Sequence, residues 1–411
     1  MSVIRPFRAL RPAPEAASRV ASVPYDVVTA DEARELAASN PLSFLRVTRA
    51  EIDLPPGTDP YADAVYARAR ANLDEIRAAA PLVAESEPSV YFYRLRMGAH
   101  EQTGVAACFS IDEYDRGLIK KHEKTRRDKE DDRTRHIVET RAQTGVVFLT
   151  YHASAAIDRL EAAACAGQPL FDVTAADGVR HMVWKASGAG AQAVVDAFAK
   201  VPALYIADGH HRAASAARAR EALRTRGSAE RPNQTPEASW FIAVAFPDNQ
   251  MQILPYNRVV KDLAGYTPEK FLDALSGRVA VSGGTDTPSG RGRVSMYLKD
   301  AWHELDLRAL APETSDPAEG LDVAVLERHV LRDLLDIQDV RTDKRIDFVG
   351  GIRGTAELEA RVNSGQAAVA FALHPVTIDD LMRVSDSGGI MPPKSTWFEP
   401  KLRDGLLVHE L

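Results

Sequence analysis

The chain reads as a mixed α/β protein, and three observations carry that reading. Short apolar, β-compatible runs such as Ala203-Leu-Tyr-Ile-Ala207 and Trp240-Phe-Ile-Ala-Val-Ala-Phe246 alternate with Ala-rich stretches of high helix propensity such as Ala213-Ala-Ser-Ala-Ala-Arg218. The 411 residues exceed one ordinary core, so two or three domains are expected. Apolar residues make up 45% and charged residues 27%, the balance of a water-soluble globular chain.

Taken in order, Arg5-Pro-Phe-Arg-Ala-Leu-Arg-Pro12 and Val23-Pro-Tyr-Asp-Val-Val28 predict short extended pieces punctuated by prolines. Thr29 or Asp31 caps a helix through Ala38, with Glu32 and Glu35 in its first turns. Pro55-Pro-Gly-Thr-Asp-Pro60 is a loop and Tyr61 to Ala80 a long Ala/Arg helix. Val90 to Arg96 and Gln102 to Ile111 form a hairpin through Gly98, and Val146 to Tyr151 a buried strand. After about residue 260 the texture changes: 277–307 alternates as in a small antiparallel sheet, 321–335 is periodic and helical, and 346–373 carries two core strands. The division expected is a core over 1–260, a smaller β-rich and helical region over 261–345, and a segment over 346–411 returning to the core.

A formal net charge of −7 argues against general nucleic-acid binding. Cys108 and Cys165 match no metal or redox spacing and read as buried free thiols. There is no signal peptide and no uninterrupted apolar span of membrane length, so a cytoplasmic protein without membrane attachment is expected.

The most informative stretch is Ile206-Ala-Asp-Gly-His-His-Arg212, where a strand meets a glycine and an Ala-rich helix begins at once. Its polar residues then occupy a helix N-terminus, whose unpaired N–H groups and positive dipole end favour an anion. Gly209, His210, His211 and Arg212 form a candidate phosphate cradle, and Asp208 a carboxylate for a metal or hydroxyl. The plainer alternative makes Asp208 a helix cap and the histidines surface groups.

Lys120-Lys-His-Glu-Lys-Thr125, with Asp128, Asp131, Asp132 and Arg133, mixes cations and carboxylates as a nucleotide–metal complex requires, although such runs also form solvated helix faces. His122, Lys124 and Thr125 are candidate ligand contacts there, and Glu123 a candidate metal contact. Asp26, after a Pro-Tyr corner between apolar residues, is a candidate general base if burial raises its pKa, or else a turn cap. Lys394, in Pro392-Pro-Lys-Ser-Thr396, offers a point charge to a phosphate without the glycines of a P-loop. His181 reads as a core or rim histidine of a strand.

Ala207-Asp-Gly-His-His-Arg212, His122-Glu-Lys-Thr125 with Asp132-Arg133, Val23-Pro-Tyr-Asp26 and Met391-Pro-Pro-Lys-Ser-Thr396 together resemble the bacterial "domain of unknown function 1015" family over almost the whole chain. The Asp-Gly-His-His-Arg element also resembles the motif of free serine kinases, which share a nucleotide-binding core with ParB partition proteins and sulfiredoxin. That resemblance implies a ParB/sulfiredoxin-like core whose Gly-x-x-Arg turn holds nucleotide phosphates, with additional α/β and β-rich regions. Sulfiredoxin carries a catalytic Cys where His210 stands here, which excludes its repair chemistry.

The function so implied is a kinase of free L-serine or a similar small hydroxylated metabolite, using ATP or ADP and Mg²⁺. Asp26, Asp208 and His211 would be its catalytic residues. Rival readings are a nucleotide-hydrolysing switch of ParB type and a small-molecule phosphatase using the His pair. A homodimer is compatible with the sequence.

Overall fold

The structure, a computed structural model, describes residues 2–79, 82–225 and 236–411. The chain divides into two compact units, Met1–Met251 together with Pro400–Leu411, and Gln252–Glu399.

Among the described residues, the first unit is built on a nine-stranded mixed sheet. From one edge the order is Ile119–Lys120, Leu204–Asp208, Val147–Tyr151, Trp240–Pro247, His100–Ser110, Ser89–Met97, Arg180–Ser187 and Phe171–Thr174, with Ile4–Arg5 added beside His100–Ser110. Leu204–Asp208 runs parallel to Ile119–Lys120 and antiparallel to Val147–Tyr151. The 89–110 hairpin turns at Gly98, whose φ of 59° is the left-handed conformation the expected glycine supplies. Consecutive residues Val105 to Phe109 are all buried, as in a strand covered on both faces. Ile157, Val194, Phe198 and Ala213, from three helices, share one core with Phe109, Leu149, Ile206 and Phe241.

Local signals place most elements. Thr29 and Glu32 form a reciprocal capping box on the helix Ala30–Ala37. The long helix is Asp63–Ala79, and Ala80, expected to end it, lies outside the described residues. The charge-dense segment becomes a two-residue edge strand followed by the helix Arg127–Thr140. Val23 to Val28 departs from expectation: instead of extended chain, Tyr25–Val27 forms a 3-10 turn that buries Tyr25 and leaves Asp26 exposed. Cys108 is buried, while Cys165 is only half-buried.

The second unit holds a six-stranded antiparallel sheet ordered Ala280–Gly283, Ala301–Asp306, Arg293–Leu298, Val369–Leu373, Tyr256–Val260 and Ile346–Gly350. The helix expected over 321–335 begins as Asp322–Leu326 and widens into a π-helix over Glu327–Arg332. Among the described residues, no helix is long and apolar enough to cross a membrane.

Candidate functional site

The strand Leu204–Asp208 ends where the helix His210–Thr225 begins, with Gly209 between them at φ 93°. An L side chain there would be strained, and a Cβ would stand 3.3 Å from Arg212 Cδ and 3.4 Å from the Val147 Cα. The first i→i−4 bond of the helix runs from Ala213 N to Gly209 O at 3.0 Å. The turn before it therefore presents the helix N-terminus, as the glycine and the Ala-rich run predict.

His210 and His122 meet in the interior, 4% and 2% exposed, with perpendicular rings 4.5 Å apart. The edge pairing of Ile119–Lys120 with Leu204 and Tyr205 produces this meeting. His210 Nε2 accepts the His122 backbone N–H at 3.4 Å, so Nδ1 carries the proton and faces Glu123 Oε2 at 3.8 Å. Burial pushes the His122 pKa down to about 4. It pushes His210 well below the ordinary value, and the neighbouring His122 adds to the effect. At neutral pH both rings are uncharged donors and acceptors. His122 Nδ1 has no hydrogen-bond partner among the described residues.

His211 takes a different direction. Its Nε2 accepts the Arg126 backbone N–H at 2.9 Å, and Arg126 is the N-cap of the helix Arg127–Thr140. One imidazole thus joins the N-termini of two helices, both positive dipole ends. In the same segment Lys124 is exposed, and Thr125 Oγ1 donates to Glu130.

Arg212 turns inward, 7% exposed. Its Nη1 donates to Val146 O at 2.8 Å, and its Nη2 to both carboxylate oxygens of Asp26, each at 2.8 Å. Burial opposes its charge, but Asp26 and then Asp208 outweigh that and hold the guanidinium pKa above its usual range. Asp26, which the sequence offered either as a base or as a turn cap, is thus paired with a buried cation. It has 37% of its side chain exposed and is clamped by the helix that opens the cradle. Arg212 also lines a cleft of about 400 Å³, partly open to solvent, together with Tyr25, Arg133, His136, Gln143 and Thr144.

Two further residues come from Pro400–Leu411 and were not singled out in the sequence. Lys401 Nζ donates to Asp208 Oδ2 at 3.0 Å. Burial would raise the Asp208 pKa, yet Lys401 and Arg212 hold it below the usual carboxylate range. Asp404 is 1% exposed, and its Oδ2 has no partner among the described residues. Burial pushes its pKa up to about 7 against the opposing pull of Arg212, with Asp26 adding to the rise.

The segment is held by backbone bonds between Ser22 and Asp404 and by Arg403 N donating to Tyr93 Oη at 3.3 Å. Tyr93 Oη in turn lies 3.0 Å from Nδ1 of His181, which is fully buried. The signal that could have found these residues is Lys401-Leu-Arg-Asp404, a charged cluster separated only by Gly405 from the apolar run Leu406-Leu-Val408.

Of the remaining sequence candidates, Lys394 belongs to the second unit, at φ 59°, with its Nζ 5.5 Å from the Tyr256 ring centre. Among the described residues there is no group of three or more His, Cys, Asp or Glu side chains set to hold a metal ion.

Residues 4–324 match the model of the family described as "Protein of unknown function (DUF1015)". No curated protein matches the chain. Among solved structures, a conserved hypothetical protein from Pyrococcus furiosus is 12% identical with a TM-score of 0.36, over 74% of this chain and 94% of that one. SbnI with a C-terminal truncation, from Staphylococcus aureus, is 13% identical with a TM-score of 0.39, over 74% and 86%. A free serine kinase in complex with AMP is 11% identical with a TM-score of 0.38, over 74% and 91%. At such scores the likeness establishes neither a shared fold nor a ligand.

Proposed function

The chain belongs to the DUF1015 family, and from that premise we propose that its first unit is a nucleotide-dependent phosphotransferase acting on the hydroxyl of a small metabolite, free L-serine in its leading form. The observation that most supports this reading is the clamp of Arg212 on Asp26, which ties the phosphate turn and a solvent-reaching carboxylate into one rigid piece. Phosphoryl transfer needs mainly that: positioned phosphates, compensated charge and a base beside the acceptor.

In this reading the turn from Gly209 to Arg212 receives the phosphates of ATP or ADP, the substrate that supplies the transferable group. The joined N-termini at His211 and Arg126 extend the positive end toward it. Lys124 and Thr125 stand on the adjoining segment as further contacts. His122 and His210, neutral, offer hydrogen bonds without adding charge. Asp26 takes the hydroxyl proton as the acceptor oxygen attacks phosphorus. The partly open cleft beside Arg212, lined by Arg133, Gln143 and Thr144, supplies polar groups next to the clamp for an acceptor entering from solvent.

Mg²⁺ fits only as a companion of the nucleotide. Asp208 already carries Lys401, and Glu123 lies toward His210, so the protein offers one or two carboxylates rather than a closed cage. Mg²⁺ commonly binds in that way, completed by phosphates and water.

Incubating the protein with nucleotide, Mg²⁺ and a panel of amino acids and polyols tests the reading. A mass gain of one phosphoryl group on an acceptor is expected. Nucleotide binding with only inorganic phosphate released would replace the kinase by a switch.

A further inference from the structure

The second unit has a cleft of its own, partly open to solvent, with about 430 Å³ of empty space counting its open mouth, which the phosphotransfer reading leaves unused. Its walls bring together Arg258, Arg291, Asp322, His374, Asp380 and Ser395.

Arg258 comes from the strand Tyr256–Val260 and is 3% exposed. Its Nη1 donates to Tyr256 O, and its Nη2 to Pro393 O at 3.4 Å and Lys394 O at 3.0 Å. A guanidinium has five N–H donors, so three carbonyls leave some over. Among the described residues no carboxylate stands within ion-pair distance of it; Glu327 acts only from farther away, and burial pulls the pKa down to about 10. A buried cation without a counter-ion is costly, and this one lines a cavity.

The acidic residues of the cleft differ in what they have left to give. Asp380 accepts from Thr377 N and Oγ1, from Arg291 and from Arg383, and is saturated. The two Asp322 oxygens share one donor, the Gly292 N–H, at 3.0 and 2.9 Å, so lone pairs remain. Met391-Pro-Pro-Lys-Ser-Thr396 carries the carbonyls that hold Arg258, and Lys394 there adopts a left-handed φ of 59°.

We propose that this cleft binds a small organic acid bearing a hydrogen-bond donor, an amino acid or a hydroxy acid, with its carboxylate on Arg258 and its donor on Asp322. A polyphosphate does not suit it, because Asp322 and Asp380 would repel several negative charges.

Calorimetric titration of the full chain tests this, with the common amino acids, glycolate, lactate and glycerate as probes and inorganic phosphate beside them. At least one of the organic acids should bind the parent. Its affinity should fall tenfold or more in Arg258→Met and in Asp322→Asn, and be lost in Val376→Trp, which fills the cleft. Nucleotide titration should be unchanged in all three. Because Arg258 also supports the 391–396 loop, Asp322→Asn and Val376→Trp decide the matter should Arg258→Met fail to fold. The proposal is overturned if no organic acid binds at millimolar concentration, if binding survives Asp322→Asn and Val376→Trp, or if inorganic phosphate alone binds.

Discussion

Arg212 and Asp26, 186 residues apart in sequence, are joined by one terminal guanidinium nitrogen that reaches both carboxylate oxygens at 2.8 Å. The two candidate roles, phosphate contact and base, are therefore mechanically coupled but separable by mutation. Asp26→Asn keeps the shape and removes the base. It should lower turnover by about 10²–10⁴-fold with nucleotide affinity nearly unchanged. Arg212→Ala should instead weaken nucleotide binding by about tenfold or more, since a charge-assisted contact contributes roughly 1.5–3 kcal/mol. Calorimetry and single-turnover assays on the two variants separate these effects. An Asn variant as fast as the parent moves the base elsewhere.

Gly209→Ala tests the turn itself. At φ 93° the added methyl costs about 1–3 kcal/mol in backbone strain, and it sits 3.3–3.4 Å from Arg212 and Val147. Thermal unfolding should show that loss, and nucleotide binding should suffer more than stability does. An Ala variant with parental stability and affinity would remove the turn from the site.

Lys401 and Asp208 are both largely shielded from solvent, with side chains 14% and 30% exposed. Lys401→Met leaves the carboxylate without its ammonium and should destabilise by about 1–3 kcal/mol. The double variant with Asp208→Asn should recover most of this. A double variant no more stable than Lys401→Met would mean that the pair contributes through packing alone.

Asp404 gives a signed pH dependence. Its pKa rises from 3.8 to about 7 on folding, so the folded chain holds the proton more tightly than the unfolded one. Its contribution is complete at low pH and is lost as pH rises from about 4 to about 7. Asp404→Asn should therefore gain on the parent by up to about 4 kcal/mol at pH 8, with little difference near pH 4. The buried histidines run the other way. His122, His136 and His181, pushed down to about 4, 4 and 3 mainly by burial, add stability above their ordinary pKa that is lost as pH falls below about 6.5. Urea midpoints across this range for parent and variant would settle it, and a constant offset would refute the assignment to Asp404.

Residues 122–133 should exchange amide hydrogens more slowly with nucleotide and Mg²⁺ present, because a ligand stabilises what it orders. The bond from Arg126 N to His211 already ties this segment to the candidate phosphate turn. Equal exchange with and without ligand would leave it a solvated face.

What could be read in the sequence was local. The strand, glycine and helix from Leu204 to Thr225 follow from an apolar run, a residue free to take positive φ and a block of alanines, all within one short window. The 89–110 hairpin and the Thr29 capping box are equally local. The contacts across the site were not legible. His122 meets His210 only because a two-residue edge strand, too short to announce itself, pairs beside Leu204. Asp26 could be read from its neighbours either as a base or as a turn cap, and its pairing with Arg212, far away in sequence, was not legible. Lys401 and Asp404 carry no motif, and their importance arises from a segment that returns over a long sequence distance.

That return sets an order of events during synthesis. Lys401 and Asp404 leave the ribosome only after all of Gln252–Glu399 has been translated. At about 5–20 residues per second, the intervening stretch takes roughly seven to thirty seconds. Throughout that interval the nascent first unit has Asp208 without its ammonium and Tyr93 without the Arg403 N–H. A translating chain thus carries these two partners unpaired while its second unit is being made, and the contacts of residues 400–411 form only after the second unit has emerged.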